Sequence, residues 1–274
     1  MPSIMLRTPA VAGMFYPGDQ KNLRELVQRY LDSVDTEPAP DRVVSVLVPH
    51  AGYRYSGLTA AHAFKRVLGK KVNRAIIVGC SHHFRISQCS IVTLGAFQTP
   101  MGESPIDTTF AEALASRFES STLEAHTPEH SLEVQLPFLI QVLGNVPIVP
   151  ILFGAQVTDW HAHVGECLAE MADDSDLLIV STDLSHYLNE AAANVIDKYS
   201  LETLLKKDVH GFRHAIEQGS CTMCGAAAVG CGMSYALAKG ATDWSVLDYR
   251  TSADASGDHG RVVGYASVSM ERPA

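Results

Sequence analysis

Apolar residues fall along this chain in two alternating patterns. Runs that are apolar at nearly every position occur at 43–48, 74–78, 146–152 and 177–181. Their length and continuity predict strands buried on both faces. Between them, apolar residues recur three and four positions apart, the spacing of a helix that buries one face. This pattern predicts helices over 22–31, carried by Leu23, Leu26, Val27, Tyr30 and Leu31, and over 56–68, 108–118, 157–171, 190–206 and 225–238. A further helix is predicted over 132–143, started or kinked by Pro137. Residues 90–94, 246–249 and 262–268 read as additional strands. Residues 10–17 read as an irregular lead-in and 254–260 as a turn-rich loop. Buried strands alternating with helices predict an α/β fold: one layered domain over 1–274, with a mostly parallel central sheet and helices on both faces.

Composition narrows the function classes. The 274 residues include 46% hydrophobic and 19% charged side chains, with a formal net charge of -9. An acidic chain without a Lys/Arg run argues against nucleic acid as a partner, because such binding neutralises phosphates with basic side chains. No stretch approaches the roughly 20 apolar residues that span a bilayer. The first nine residues lack a charged region followed by an apolar one, so a cytoplasmic protein is expected. Six cysteines (Cys80, Cys89, Cys167, Cys221, Cys224 and Cys231) are too few for a disulfide framework and are expected as free thiols.

The chemistry concentrates where strands hand over to helices. His50 follows the 43–48 run, His82 and His83 follow 74–78, and Asp183 and His186 follow 177–181. In open α/β sheets, ligands sit beyond the carboxyl ends of the strands. Three strand ends therefore deliver imidazole or carboxylate to one edge. Each residue alone reads as an ordinary loop side chain; their repetition points to a site. Cys224 closes a Cys221-x-x-Cys224 pair before Gly225 and a run of small residues that predicts a helix start, a position that favours the thiolate. It reads as a metal ligand or reactive thiol, or else as a small buried residue, and the other cysteines read as packing. His130 and Glu133, three apart, read as a supporting pair or proton shuttle on one helical face, or as an acidic first helical turn.

Several blocks also carry a family resemblance. They are Pro9-Ala-Val-Ala-Gly-Met-Phe-Tyr-Pro17, Pro49-His-Ala-Gly-Tyr-Arg-Tyr-Ser-Gly57, Gly79-Cys-Ser-His-His83, His130-Ser-Leu-Glu-Val-Gln-Leu-Pro-Phe138, Ser181-Thr-Asp-Leu-Ser-His-Tyr187 and Cys224-Gly225. Together they resemble the signature blocks of the Memo family, whose bacterial and archaeal members are often called AmmeMemoRadiSam system protein B. The resemblance implies a fold similar to the class III extradiol dioxygenases of the LigB type. It also implies a metal pocket of His50, His82 and Cys224, with His130, Asp183 and His186 as further pocket residues. Where many relatives have proline, this chain has Cys80, a change expected to alter loop stiffness and not ligand supply.

Three functional readings are open to such a chain. The first is a metal-dependent oxidoreductase of dioxygenase ancestry acting on an unknown small molecule. Its metal would be iron(II), with zinc or copper as alternatives. His130 or His186 would serve as acid/base, oriented by Asp183 or Glu133. The second is a metal-handling or partner-binding protein that works with AMME-type and radical-SAM partners. The third is a metal-independent thiol hydrolase using Cys224 and a histidine. Metal analysis separates the third from the others, and oxygen consumption with catechols separates the first from the second.

Overall fold

The computed structural model describes residues 6–118, 120–121 and 123–274. The strands are β1 (Leu6–Arg7), β2 (Val43–Val48), β3 (Ala75–Cys80), β4 (Cys89–Ile91), β5 (Ala96–Thr99), β6 (Gly102–Pro105), β7 (Ser120–Ser121), β8 (Ile148–Phe153), β9 (Leu177–Ser181), β10 (His186–Leu188), β11 (Asp243–Thr251) and β12 (Val262–Glu271). The helices are α1 (Gln20–Ser33), α2 (Tyr53–Arg66), α3 (Thr108–Ala115), α4 (Leu136–Leu143), α5 (Asp159–Met171), α6 (Glu190–Leu205), α7 (Val209–Glu217), α8 (Ala226–Ala238) and α9 (Ala253–Ser256).

The main sheet runs in the order β10-β12-β2-β9-β3-β8-β4-β7, with β11 paired to the other side of β12. Its centre, β2-β9-β3-β8, is parallel, and antiparallel pairs join β12 to β2 and β4 to β8. Every residue of these four parallel strands is buried, as the continuous apolar runs predict. Helices α1, α2 and α4 pack on one another against one face, and α5 and α8 pack together on the other. The small residues of α8 allow unusually close contact. A Cβ added to Gly165 on α5 would lie 2.1 Å from the Cys231 carbonyl oxygen, so the two backbones meet directly. That contact fixes α8, and with it Cys224 just before its first turn.

Most predicted elements appear within a few residues of their expected ends. Strand β3 continues two residues past its expected end, through Cys80. The helix expected over 132–143 is instead a single 3-10 turn, Glu133–Gln135, followed by α4. The β5–β6 hairpin, β10 and α7 were not anticipated, and the loop expected over 254–260 begins with α9. No helix among the described residues is long and apolar enough to cross a membrane.

One buried ion pair ties the amino-terminal segment to this body. Arg7 and Glu133 are both almost fully buried and pair directly. The Glu133 carboxylate also accepts the backbone N–H groups of Ala10 (2.7 Å) and Val11 (3.1 Å) and the Tyr16 hydroxyl (2.5 Å). Arg7 Nε donates to the His126 carbonyl at 3.1 Å, and Nη2 donates to that of Glu129. Glu133→Gln leaves a buried guanidinium without its counter-charge. It should cost about 3–5 kcal/mol, and adding Arg7→Met should recover part of the loss. Urea unfolding of both variants tests this; a Glu133→Gln midpoint equal to wild type would rule it out.

His126 generates a second prediction. Burial, aided by the nearby Arg7 charge, pushes its imidazole down to about 4. Nε2–H donates to the Ser90 carbonyl at 3.0 Å, and Nδ1 is buried without a hydrogen-bond partner. The unfolded chain therefore takes up a proton near pH 6.5 that the folded chain refuses until about pH 4. Stability is lost as pH falls through that window, by at most ~3 kcal/mol. Melting curves at pH 7 and pH 5 should show a smaller acid loss for His126→Leu than for wild type. An equal loss in both would remove His126 as the cause.

Candidate metal centre

Because β9 lies between β2 and β3, the carboxyl ends of three neighbouring parallel strands open onto one region. His50 follows β2, Cys80 ends β3 with His82 just beyond, and Asp183 follows β9. Cys224 reaches the same place from the start of α8. A Cβ at Gly225 would lie 2.7 Å from the Ser181 carbonyl oxygen, so only glycine lets the α8 start approach β9 this closely.

The hydrogen bonds fix the tautomer of both imidazoles. Ser181 Oγ donates its one proton to the Ser131 carbonyl at 2.6 Å and accepts from Gln135 Nε2 at 3.0 Å. At the 2.9 Å contact with His50 Nδ1, the serine can only accept, so Nδ1 carries the proton. His50 Nε2 is then the metal-competent nitrogen, and it faces Cys224 Sγ at 3.2 Å. His82 is held the same way. Its Nδ1–H donates to Glu129 Oε1 at 2.9 Å and its backbone N–H to Oε2 at 2.6 Å, leaving Nε2 at 3.6 Å from Cys80 Sγ. Donation from the second ring nitrogen to a fixed acceptor is how metal-ligating histidines are oriented.

Ligand atoms of His50, Cys80, His82 and Cys224 all lie within 4.8 Å of one another. Contact with the Cys80 thiol holds Cys224 well below the ordinary thiol range; burial opposes this, and His50 and His82 reinforce it. Cys224 Sγ also accepts the Asp183 backbone N–H at 3.2 Å. Burial pushes His50 down, but the Cys224 thiolate and the Asp183 carboxylate lift it to about 9. For His82, burial is outweighed by Cys224 and Glu129, which lift it to about 10. Without an ion, protons shared between thiolate and imidazole compensate the charges. Oriented nitrogens beside an acidic thiol are the donor set of a transition-metal site.

The other expected pocket residues take different positions. His130 stacks on His82, with ring centroids 4.5 Å apart, and meets His50 edge-on at 5.5 Å. Burial first, then the His50 charge, push it down to about 3, so it stays neutral. Asp183 is buried. Its Oδ1 accepts the His50 backbone N–H at 2.7 Å, and burial raises its carboxyl above the usual range. His186 is outside the four-residue cluster. Its Nδ1–H donates to the Leu184 carbonyl at 2.9 Å, and it borders a cavity of about 490 Å³ shared with Cys224. His83 is exposed and, with His82, lines a second cavity of about 1000 Å³.

Two expectations change. Cys80 belongs to the cluster instead of serving only loop stiffness: β3 extends through it, and its sulfur meets His82 Nε2 at 3.6 Å. Glu133 does not partner His130, because His130 precedes the first helical turn and Glu133 is turned into the Arg7 pair. Glu129 does that work. Its carboxylate accepts four N–H groups: the His82 backbone, His82 Nδ1, and the backbones of His130 and Ser131 at 2.9 Å each. Three of these donors share Oε1 and one takes Oε2, so the His82–Glu129–His130 group forms a hydrogen-bonded support. Ser181 and Gln135 were also missed; both lie inside the Memo-like blocks, but only the fold reveals which side chain they orient. Cys221 is buried and outside the cluster.

The chain has relatives among known proteins. The family described as Memo-like protein matches residues 7–269. A MEMO1 family protein of Methanopyrus kandleri is 35% identical over 283 residues, covering 98% of this chain and 100% of that relative. One from Methanobrevibacter smithii is 37% identical over 278 residues, covering 96% and 99%. Among solved structures, an uncharacterized protein of Escherichia coli K12 overlays with a TM-score of 0.48 at 12% identity, over 84% of this chain and 100% of that one.

The supporting hydrogen bonds yield a prediction independent of the metal's identity. Glu129→Gln and Ser181→Ala leave the side chains of the cluster in place but loosen one imidazole each. Each should weaken cobalt or zinc binding about 10–100-fold, read by competition with a chromophoric chelator. Wild-type affinity in both variants would show that these contacts do not orient ligands.

Proposed function

The chain belongs to the Memo-like protein family, and from that premise we propose that it is a metal-dependent oxidoreductase of dioxygenase ancestry acting on a small molecule. The observation that carries the reading is the convergence of His50 Nε2, His82 Nε2 and Cys224 Sγ at adjoining strand ends. His82 keeps about 31% of its side chain exposed, so the cluster is reachable from solvent. We assign iron(II) as the resident ion; zinc and copper fit the same donors. When bound, iron supplies one-electron chemistry and positions for small oxygen-donor ligands.

The chain's own residues divide the remaining work. His50 and His82 hold the ion through nitrogens fixed by Ser181 and Glu129. His130, with a pKa of about 3, is too weak a base to take a proton near neutral pH, and a bound cation lowers it further. Its role is to hydrogen-bond a substrate as a neutral ring. His186, with Nδ1–H tied to Leu184, has no protein partner at Nε2 among the described residues and serves as the proton acceptor. Asp183 holds the His50 backbone and the Cys224 loop together.

A second reading is favoured by one observation, the Cys80 thiol inside the cluster. Two thiols and two imidazoles suit soft-metal handling, the role that would involve AMME-type and radical-SAM partners. Anaerobic purification with elemental analysis should find stoichiometric metal in wild type and little in His50→Ala. Adding catechols to the iron(II) protein under nitrogen should change its spectrum. His186→Ala should keep its iron yet lose about 100-fold or more in oxygen consumption. No spectral change at millimolar catechol would favour the metal-handling reading, and full metal in His50→Ala would place the ligands elsewhere.

A further inference from the structure

Cys80 goes beyond the three-ligand centre just proposed, and any role for it there rests on that centre holding a metal. Its side chain is 3% exposed, at the end of a strand that is paired on both sides, by β9 and β8. The backbone there is fixed: the Cys80 carbonyl accepts Ser131 Oγ at 2.8 Å, and the Ser81 N–H donates to Phe153. The thiol therefore has little freedom to turn elsewhere. Its sulfur meets His82 Nε2 at 3.6 Å and the Cys224 thiol, and it lies within 4.8 Å of the ligand atoms of His50, His82 and Cys224. Cys89, Cys167, Cys221 and Cys231 fall outside this group.

We propose that Cys80 is a fourth protein donor, so that the centre is two imidazoles and two thiolates. Binding releases to solvent the Cys80 thiol proton and the protons held between the Cys224 thiolate and the imidazoles, and no oxidant is involved. Four donors change what the centre does. A four-coordinate ion such as zinc or copper(I) is saturated, with no position left for substrate. A six-coordinate iron keeps two positions instead of three. The residue at position 80 thus sets both the preferred ion and the number of ligands it accepts.

The test counts sulfurs on the metal. Full-length wild type, Cys80→Ala, Cys80→Ser and Cys224→Ser are loaded with zinc or cobalt under nitrogen in reductant, with circular dichroism to confirm folding. X-ray absorption on the zinc forms should show two sulfurs near about 2.3 Å in wild type and one in each folded variant. The thiolate-to-cobalt absorption should fall to about half in each. The serine variant, close in size to cysteine, covers the case in which alanine disturbs the strand end. One sulfur in wild type, unchanged by either Cys80 substitution, overturns the fourth donor and leaves the three-ligand centre standing. Failure of wild type to take up either ion, or full uptake by His50→Ala, overturns the centre itself and this inference with it.

Discussion

The buried pair of Arg7 and Glu133 is the interaction on which the site depends. Neither charge is tolerable alone in the interior. Together they gather the 7–16 segment on one side and the 126–135 segment on the other. The second segment carries Glu129, Ser131 and Gln135, the residues that orient His82 and, through Ser181, His50. An ion pair outside the four-residue cluster therefore anchors the segment that orients both imidazoles. The first segment also places Phe15 edge-on to His130, 4.9 Å between centroids, and its carbonyl accepts the Tyr53 N–H at the start of α2.

The division of labour among carboxylates comes from burial. Glu129 accepts four N–H donors beside the His82 charge, so burial's tendency to neutralise it is overcome and it stays ionised. Asp183, also buried, has fewer donors and faces the Cys224 thiolate, and its carboxyl rises instead. Two acidic groups beside the same cluster are thus driven in opposite directions by their hydrogen bonds and neighbouring charges. The neighbouring imidazoles split likewise: those in contact with thiolate and carboxylate rise, whereas His130, facing two other rings, falls.

The parallel centre of the sheet was legible because strands buried on both faces leave continuous apolar runs. The β5–β6 hairpin was not: Gln98, Pro100, Gly102 and Glu103 break any such run, and pairing alone makes the strands. The nine-residue α7 does carry Val209, Phe212, Ala215 and Ile216 at helical spacing, but over little more than two turns, too short a stretch to stand out beside the longer helices. In the site, His50, His82 and Cys224 were readable from residue type and block, and the fold brings them together. Cys80 reads as a loop residue when β3 is expected to end at 78, whereas the strand runs through it and holds its thiol at the cluster. Glu133 was assigned to His130 because a helical spacing was assumed where the chain makes a 3-10 turn. Side-chain direction, unlike element type, depends on which end of a segment the first turn begins.

The ordering of the strands also bears on when this protein becomes complete. Cys224 lies 174 residues after His50. At ordinary synthesis rates, that interval takes roughly ten to thirty-five seconds. For much of it β2 and β3 exist without β9 between them, and throughout it the histidines and the Cys80 thiol, once made, wait without Cys224. An ion held there could not act as a template for early folding, since the cluster is finished only when α8 docks. The polypeptide must stand first on its parallel strands and its buried ion pair. Any metal loading would then be an act of maturation, its timing set by the supply of ions rather than by the ribosome.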